Sequence, residues 1–281
     1  MSNSSVIPLV GERAFKFVQE SLKSDSEPYH NIKYITSLVK RVKKIAGAVD
    51  LSLREISLVE IAAAFHCSVC AFEITLNQDH STYFQTRRLA ADSKMKSADL
   101  AVEWMSKQVQ EKFSAEERSL VRGAILATYL SYSEKDSEKD KTLVQNQLSP
   151  GSHKVTRVLA LAELGCAGME PENFLEDVDR RFLEHNVDFF VAIKNSLAVI
   201  ESLQHLILER YLEYLDSNLE FVQGRKILFE TELGNLNLVE KSCLRSLFSG
   251  FDKSSRALDE WCMIAKGFSF IELVNHLRQF L

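Results

Sequence analysis

Two histidine-containing stretches carry residue types that could bind a metal ion. His30 lies in Tyr29-His30-Asn31, near the start of a predicted helix, and His66 is followed by Cys67 at the end of the next predicted helix. Consecutive helices are often neighbours in a fold, so both imidazoles could face one cleft. A single buried histidine is more often a hydrogen-bonded core residue. The pair therefore directs attention to residues elsewhere that could complete a site.

Further motifs follow in the same part of the chain. They occupy residues 92–101, 125–128, 161–165 and 171–185. Together with Tyr29-His30-Asn31 and Phe65-His66-Cys67, they resemble in order and spacing the HD superfamily, in particular its small predicted metal-dependent phosphohydrolases. The resemblance covers roughly residues 29–185. It implies an all-α, HD-domain-like helical bundle and a divalent metal that supports phosphoester hydrolysis.

The departures from the family pattern replace acidic residues with residues that are not acidic. Cys67 replaces the aspartate after the second histidine, Lys94 and Met95 replace an acidic pair, and Leu161 replaces the first aspartate of an Asp-Ala-Asp segment. Glu163 keeps an acid at the second position of that segment. A hard cation such as Mg²⁺ or Mn²⁺ prefers carboxylate oxygens, and phosphoester hydrolysis needs that cation to activate water. The resemblance thus predicts that catalysis has been lost.

A vestigial metal site is the alternative for the same residues. The candidate ligands are His30, His66, Cys67 and Glu163. Nitrogen and sulfur donors suit Zn²⁺, which often uses only three protein ligands, whereas Lys94 would repel any cation. The expected cofactor is none, or otherwise a divalent Zn, Mn or Mg ion. Cys67-Ser68-Val69-Cys70 is by itself a weak zinc or redox motif and is interpreted as two small thiols at a helix end.

Three functional hypotheses follow. The first is a pseudoenzyme that serves as a ligand-binding or regulatory and interaction module. Arg87, Arg88 and Lys94 would attract a small anionic or phosphorylated ligand in it. The second is a working phosphohydrolase acting on a nucleotide or another phosphoester. The third is a structural helical partner protein.

Composition agrees with a helical bundle and excludes several other classes. The chain has 281 residues, of which 46% are hydrophobic, with only 10 Gly and 4 Pro to interrupt helices. The net charge of −5 argues against a nucleic-acid partner. Five cysteines, an odd number, favour a reducing compartment, and no run approaches the roughly 20 apolar residues of a membrane helix. We therefore expect a cytoplasmic protein without a membrane partner.

The resemblance implies an HD-domain-like part, 1–185, and the change in periodicity from residue 186 predicts a helical extension, 186–281. A 3–4 repeat over residues 190–214 predicts one long helix that packs within the chain or mediates a homodimer. Further upstream, Ser114 with Glu117 predicts a capped helix, and Ser93 or Ser97 is expected to cap a helix that ends near Phe113.

Overall fold

The computed structural model describes residues 7–22, 28–76, 84–109, 111–132, 143–145, 148–196, 199 and 201–281. These residues form a predominantly helical structure, which confirms the all-α class in its coarse form. The helices are α1 (Ile7–Ser21), α2 (Ile32–Ala46), α3 (Leu53–Phe65), α4 (Ala90–Ser106), α5 (Ala115–Ala127), α6 (Lys154–Glu163), α7 (Cys166–Met169), α8 (Pro171–His185), α9 (Val187–Lys194), α10 (Glu201–Glu232), α11 (Leu238–Leu247), α12 (Phe251–Ala265) and α13 (Phe270–Arg278). The strands are β1 (Phe72–Leu76), β2 (Phe84–Arg88), β3 (Ser131–Tyr132) and β4 (Leu143–Val144).

Local capping explains where several helices begin. The Ser114 side chain accepts from the Glu117 backbone, and the Glu117 carboxylate accepts in return from the Ser114 backbone, so the predicted capping box is confirmed. The same reciprocal pairs start α3, α11 and α13. Helix α8 begins at Pro171, whose missing N–H costs nothing in the first turn.

The predicted bounds of α4 were wrong, and the reason lies in a hairpin. Strands β1 and β2 pair antiparallel, and α4 begins at Ala90, directly after β2. Ser93 and Ser97 lie inside α4 and do not cap it. Their hydroxyls accept hydrogen bonds from the backbone N–H groups of Ala71 and Val69, at 2.9 and 3.0 Å. They therefore join α4 to the segment that leads into the hairpin.

Helix α3 forms the centre of the N-terminal part. It packs against α1, α2, α4, α5 and α6, and every residue from Ser57 to Phe65 is buried. The small side chains of the Ala62-Ala63-Ala64 run let neighbouring helices approach closely. Because α3 is enclosed on all sides, the residues at its C-terminal end, His66 and Cys67, enter the interior of the molecule.

The helical extension also differs from prediction. The expected single helix over residues 190–214 is broken, since α9 ends at Lys194 and α10 begins at Glu201, with Ser196 between them at a positive φ of 54°. Ile207 and Tyr211, which belong to the predicted seam, are buried within the chain. The Tyr211 hydroxyl donates to Asp179 of α8 at 2.6 Å, and the Trp261 indole of α12 donates to that hydroxyl at 2.9 Å. The extension thus packs on the N-terminal part through α8.

One glycine has a structural requirement of its own. Gly234 ends the turn after α10 with φ +51°, and a Cβ there would lie 2.6 Å from Nη1 of the buried Arg157. Both the backbone conformation and the close approach favour glycine. Among the described helices, none is long and apolar enough to cross a membrane.

Candidate functional site

The end of helix α3 fixes the orientation of the His66 ring. Nδ1 of His66 lies 3.2 Å from the carbonyl oxygen of Ala63, one turn earlier, and donates to it. Nε2 therefore points away from α3. It lies 2.5 Å from Oε2 of Glu163 and 3.0 Å from Sγ of Cys67. The imidazole thus joins α3 to α6.

Glu163, the last residue of α6, is the acceptor at the centre of the site. Its Oε2 accepts from the Tyr34 hydroxyl of α2 at 2.5 Å, in addition to contacting His66. Its Oε1 accepts from the Lys94 ammonium of α4 at 3.1 Å. One carboxylate therefore ties together side chains from three other parts of the fold. We call His66, Cys67, Glu163, Lys94 and Tyr34 the buried cluster.

Lys94 supplies a cation to this cluster. Its side chain lies in the interior, with the residue 4% exposed. Nζ lies 3.1 Å from Glu163 and 3.7 Å from Sγ of Cys67. A buried ammonium is stable only when paired and hydrogen-bonded, and Glu163 provides both. The ammonium therefore contacts two of the groups that a metal ion would need.

The charges shift the acid–base behaviour of the cluster. Burial alone would lower the pKa of His66, but the neighbouring Cys67 and Glu163 outweigh it and raise that pKa above 6.5. Burial would raise the pKa of Glu163, but His66 and Lys94 hold it well below 4.5. Burial, reinforced by Glu163, raises the pKa of Tyr34 well above 10.0. Glu163 is thus an ionised acceptor and Tyr34 a neutral donor at physiological pH.

These shifts predict that the buried cluster contributes most to stability in mildly acidic solution. The contribution of His66 is complete below pH 6.5 and is lost as pH rises through its raised pKa. The contribution of Glu163 is complete above pH 4.5 and is lost as pH falls through its lowered pKa. The difference in unfolding free energy between wild type and Glu163→Gln should therefore be largest between pH 4.5 and 6.5. Urea unfolding followed by circular dichroism across that range measures it, and a difference independent of pH would contradict the assignment.

The predicted ligand residues do not all come together. Within the described residues, His66, Cys67 and Glu163 offer ligand atoms that all lie within 4.8 Å of one another, and His30 is not in that group. Nδ1 of His30 instead forms a hydrogen bond with the buried carboxylate of Glu184 in α8. The ring of Tyr34 lies beside both imidazoles, with centroids 5.4 Å from His30 and 5.7 Å from His66.

Of the predicted anion-binding residues, Lys94 forms an ion pair with Glu163 in the buried cluster. Arg87 and Arg88 lie on β2, where they pair in register with Glu73 and Phe72 of β1. Their side chains fall outside the described part of the structure.

Sequence reasoning missed Tyr34. The residue lies in the first turn of α2, just after the Asn31 cap, and its position directly after the Tyr29-His30-Asn31 motif is the signal that could have indicated it. Its hydroxyl also lies 3.4 Å from Nε2 of His66. Tyr34 therefore takes the place beside His66 and Glu163 that His30 was expected to fill.

The geometry of the three ligand-type atoms fits shared protons better than a metal. Tetrahedral Zn²⁺ with bonds of about 2.0–2.3 Å would hold its ligand atoms about 3.3–3.6 Å apart. Here Nε2 of His66 lies 2.5 Å from Glu163 and 3.0 Å from Cys67. A hard cation such as Mg²⁺ fits this group less well than Zn²⁺ does. It requires several oxygen ligands, and Glu163 is the one carboxylate in the group. A metal would have to separate these atoms and displace Lys94.

Comparison with known proteins adds no assignment. The chain matches no family model, and no curated protein or solved structure shows significant similarity to it.

Proposed function

We propose that the chain is a catalytically degenerate HD-domain-like protein that acts as a ligand-binding or regulatory module. The observation that carries the proposal is the position of Lys94, whose ammonium contacts Glu163 and Cys67. The protein supplies its own cation where a hydrolase of this kind would require a metal ion. The replaced acids at Cys67 and Leu161 agree with this, because neither residue can provide a carboxylate oxygen.

Hydrolysis also lacks a free base. Metal-dependent phosphohydrolysis needs a metal-bound water whose proton can be removed. In the buried cluster, the Glu163 carboxylate already accepts from His66, Lys94 and Tyr34. The raised pKa of His66 favours its protonated form, which cannot accept a proton. The three bonds to Glu163 and the protonated His66 therefore disfavour removal of a proton from a metal-bound water.

A metal-dependent phosphohydrolase is the second candidate. It is favoured by the convergence of His66, Cys67 and Glu163, which are three ligand types suited to Zn²⁺. The two candidates differ in one measurable property, the metal content of the purified protein.

The test compares wild type with variants that restore acids. Wild type purified without added metal should contain no stoichiometric Mn²⁺, Mg²⁺ or Fe by elemental analysis, and it should hydrolyse no generic phosphoester above background. Cys67→Asp should gain some Mn²⁺ affinity, since it returns an oxygen donor beside His66. Adding Lys94→Glu and Leu161→Asp should increase that affinity by more than the separate effects, because ligands of one ion act together.

A matched control is Lys107→Glu, which changes an exposed lysine of the same region and should leave Mn²⁺ affinity unchanged. Metal-dependent hydrolysis by wild type that is abolished by His66→Ala would reject the proposal and establish the phosphohydrolase. Stoichiometric zinc in wild type would likewise reject the view that Lys94 replaces the metal.

A further inference from the structure

A polar cleft of about 220 Å³ lies between α2 and α8, next to the buried cluster. Tyr34 connects the two, because it lines the cleft and its hydroxyl donates to Glu163. Tyr29 lies at the same end, with its ring centroid 4.6 Å from that of Tyr34. The cleft thus has an aromatic side that reaches the centre of the fold.

The two helices give the cleft walls of opposite charge. The wall from α2 presents Lys33, Ser37 and Arg41, which are spaced four residues apart on one face and include no acid. The wall from α8 presents two acids, Glu176 and Asp177, and one cation, Arg180, so its net charge is negative. A ligand with a single kind of charge would be attracted by one wall and repelled by the other.

The positive wall contains a donor without an acceptor. Arg41 is 1% exposed, its Nε donates to the Ala162 carbonyl at 2.9 Å, and its Nη1 donates to Glu170 at 3.0 Å. Nη2 has no hydrogen-bond partner within the described structure. A buried charged donor left unsatisfied is costly, and an acceptor brought into the cleft would relieve that cost.

The negative wall retains capacity for a cation. Arg180 also lines the cleft, but it pairs with Glu176 of its own helix at 3.5 Å. Burial raises the pKa of the Asp177 carboxyl, although a hydrogen bond from Cys166 and the charges of Arg181 and Arg41 act in the opposite direction. An ammonium group placed beside Asp177 would offset the desolvation of that carboxylate.

We propose that this cleft binds a small zwitterion of the size and chemistry of a free α-amino acid. The carboxylate of the ligand would accept from Nη2 of Arg41 and face Lys33, and its ammonium would face Asp177 and Glu176. The volume is smaller than the roughly 300–1,000 Å³ of sites for drug-sized ligands, which favours an amino acid over a nucleotide. The inference rests on the proposed function in that it names the ligand class of the binding module.

The experiment uses the full chain and defined probes. Each of the twenty free α-amino acids is tested by thermal shift, with acetate, methylammonium and inorganic phosphate at the same concentration, and binding is then quantified by calorimetry. At least one amino acid should raise the melting temperature saturably, and the three single-charge probes should not. A chain that responds to none of the amino acids, or that binds acetate or phosphate as tightly as the best amino acid, overturns the proposal.

Two variants locate the site. Arg41→Lys keeps the charge but removes the Nη2 donors, and it should weaken amino-acid binding by about tenfold or more. Because Arg41 is buried and its replacement could impair folding, Lys33→Glu provides a second test at an exposed position, with an expected loss of about fivefold. Lys40→Glu is the matched control, since Lys40 is exposed on the same helix and lines a different cavity. Equal binding by Lys33→Glu and Lys40→Glu would contradict the assignment.

The metal measurements distinguish the two proposals. If no amino acid binds but wild type is free of metal, the ligand inference fails and the metal-free cluster remains. If wild type carries stoichiometric metal, the proposed function fails whatever the cleft binds.

Discussion

Replacing Glu163 with alanine is expected to lower the free energy of unfolding by about 3–5 kcal/mol. Glu163 is the shared acceptor of His66, Lys94 and Tyr34, and its loss would leave the Lys94 ammonium buried without a carboxylate partner. Lys94 cannot reach solvent easily, because its side chain is almost wholly enclosed. Urea unfolding of the two proteins, followed by circular dichroism at one pH, measures the difference.

Two further variants test whether the loss of stability arises from the buried cluster. Glu103→Ala breaks a lysine–glutamate pair with Lys107 that is exposed, so it should cost no more than about 1 kcal/mol. Combining Glu163→Ala with Lys94→Met removes the unpaired ammonium and should recover part of the lost stability. If Glu163→Ala costs no more than Glu103→Ala, the buried cluster does not contribute to the stability of the fold.

Replacing Glu184 with alanine is expected to cost a similar amount, about 3–5 kcal/mol, because it breaks a buried pair with His30. Its buried carboxylate accepts from the backbone N–H groups of Tyr29 and His30, at 3.1 and 2.8 Å, and from Nδ1 of His30. Alanine would remove an acceptor shared by three donors in the interior. Because these bonds hold the segment before α2 against α8, we expect Glu184→Gln, which keeps one acceptor oxygen, to be less destabilising.

The control for Glu184 lies on the same helix. Glu176 forms an exposed i,i+4 pair with Arg180, so Glu176→Ala should change stability by no more than about 0.5 kcal/mol. Unfolding midpoints of wild type, Glu184→Ala, Glu184→Gln and Glu176→Ala in urea would be compared. Equal midpoints for the two alanine variants would show that the bonds from Tyr29 and His30 are not required for stability.

Helix positions were predictable where the deciding contacts are local. The pairing of Ser114 with Glu117 spans three residues, and Pro171 fixes the start of α8 by its own backbone restriction. Ser93 and Ser97 could also cap a helix. Their hydroxyls instead accept from the backbone N–H groups of Ala71 and Val69, in the segment that leads into the hairpin. A sequence pattern cannot show which of two available partners a serine hydroxyl will take, because the second partner comes from tertiary structure.

The identities of several site residues were predictable from the sequence, but most of their pairings were not. His66, Cys67 and Glu163 were singled out by type and by family resemblance, and they do converge. The partner of His30 was not foreseen, since Glu184 lies 154 residues away and no local pattern links the two. Tyr34 was missed because a tyrosine on the buried face of a helix is ordinarily part of the core.

Because Lys94 is part of the chain, its stabilising effect differs from that of a bound metal ion. A bound ion stabilises a protein by mass action, so its effect depends on the concentration of that ion and disappears in the presence of a chelator. The Lys94 ammonium is delivered to Glu163 by the same polypeptide, so dilution cannot dissociate it and no chelator competes for it. If Lys94 replaces the metal as we propose, the cation arrives with the folding chain itself, and the stability of the cluster should not depend on metal supply.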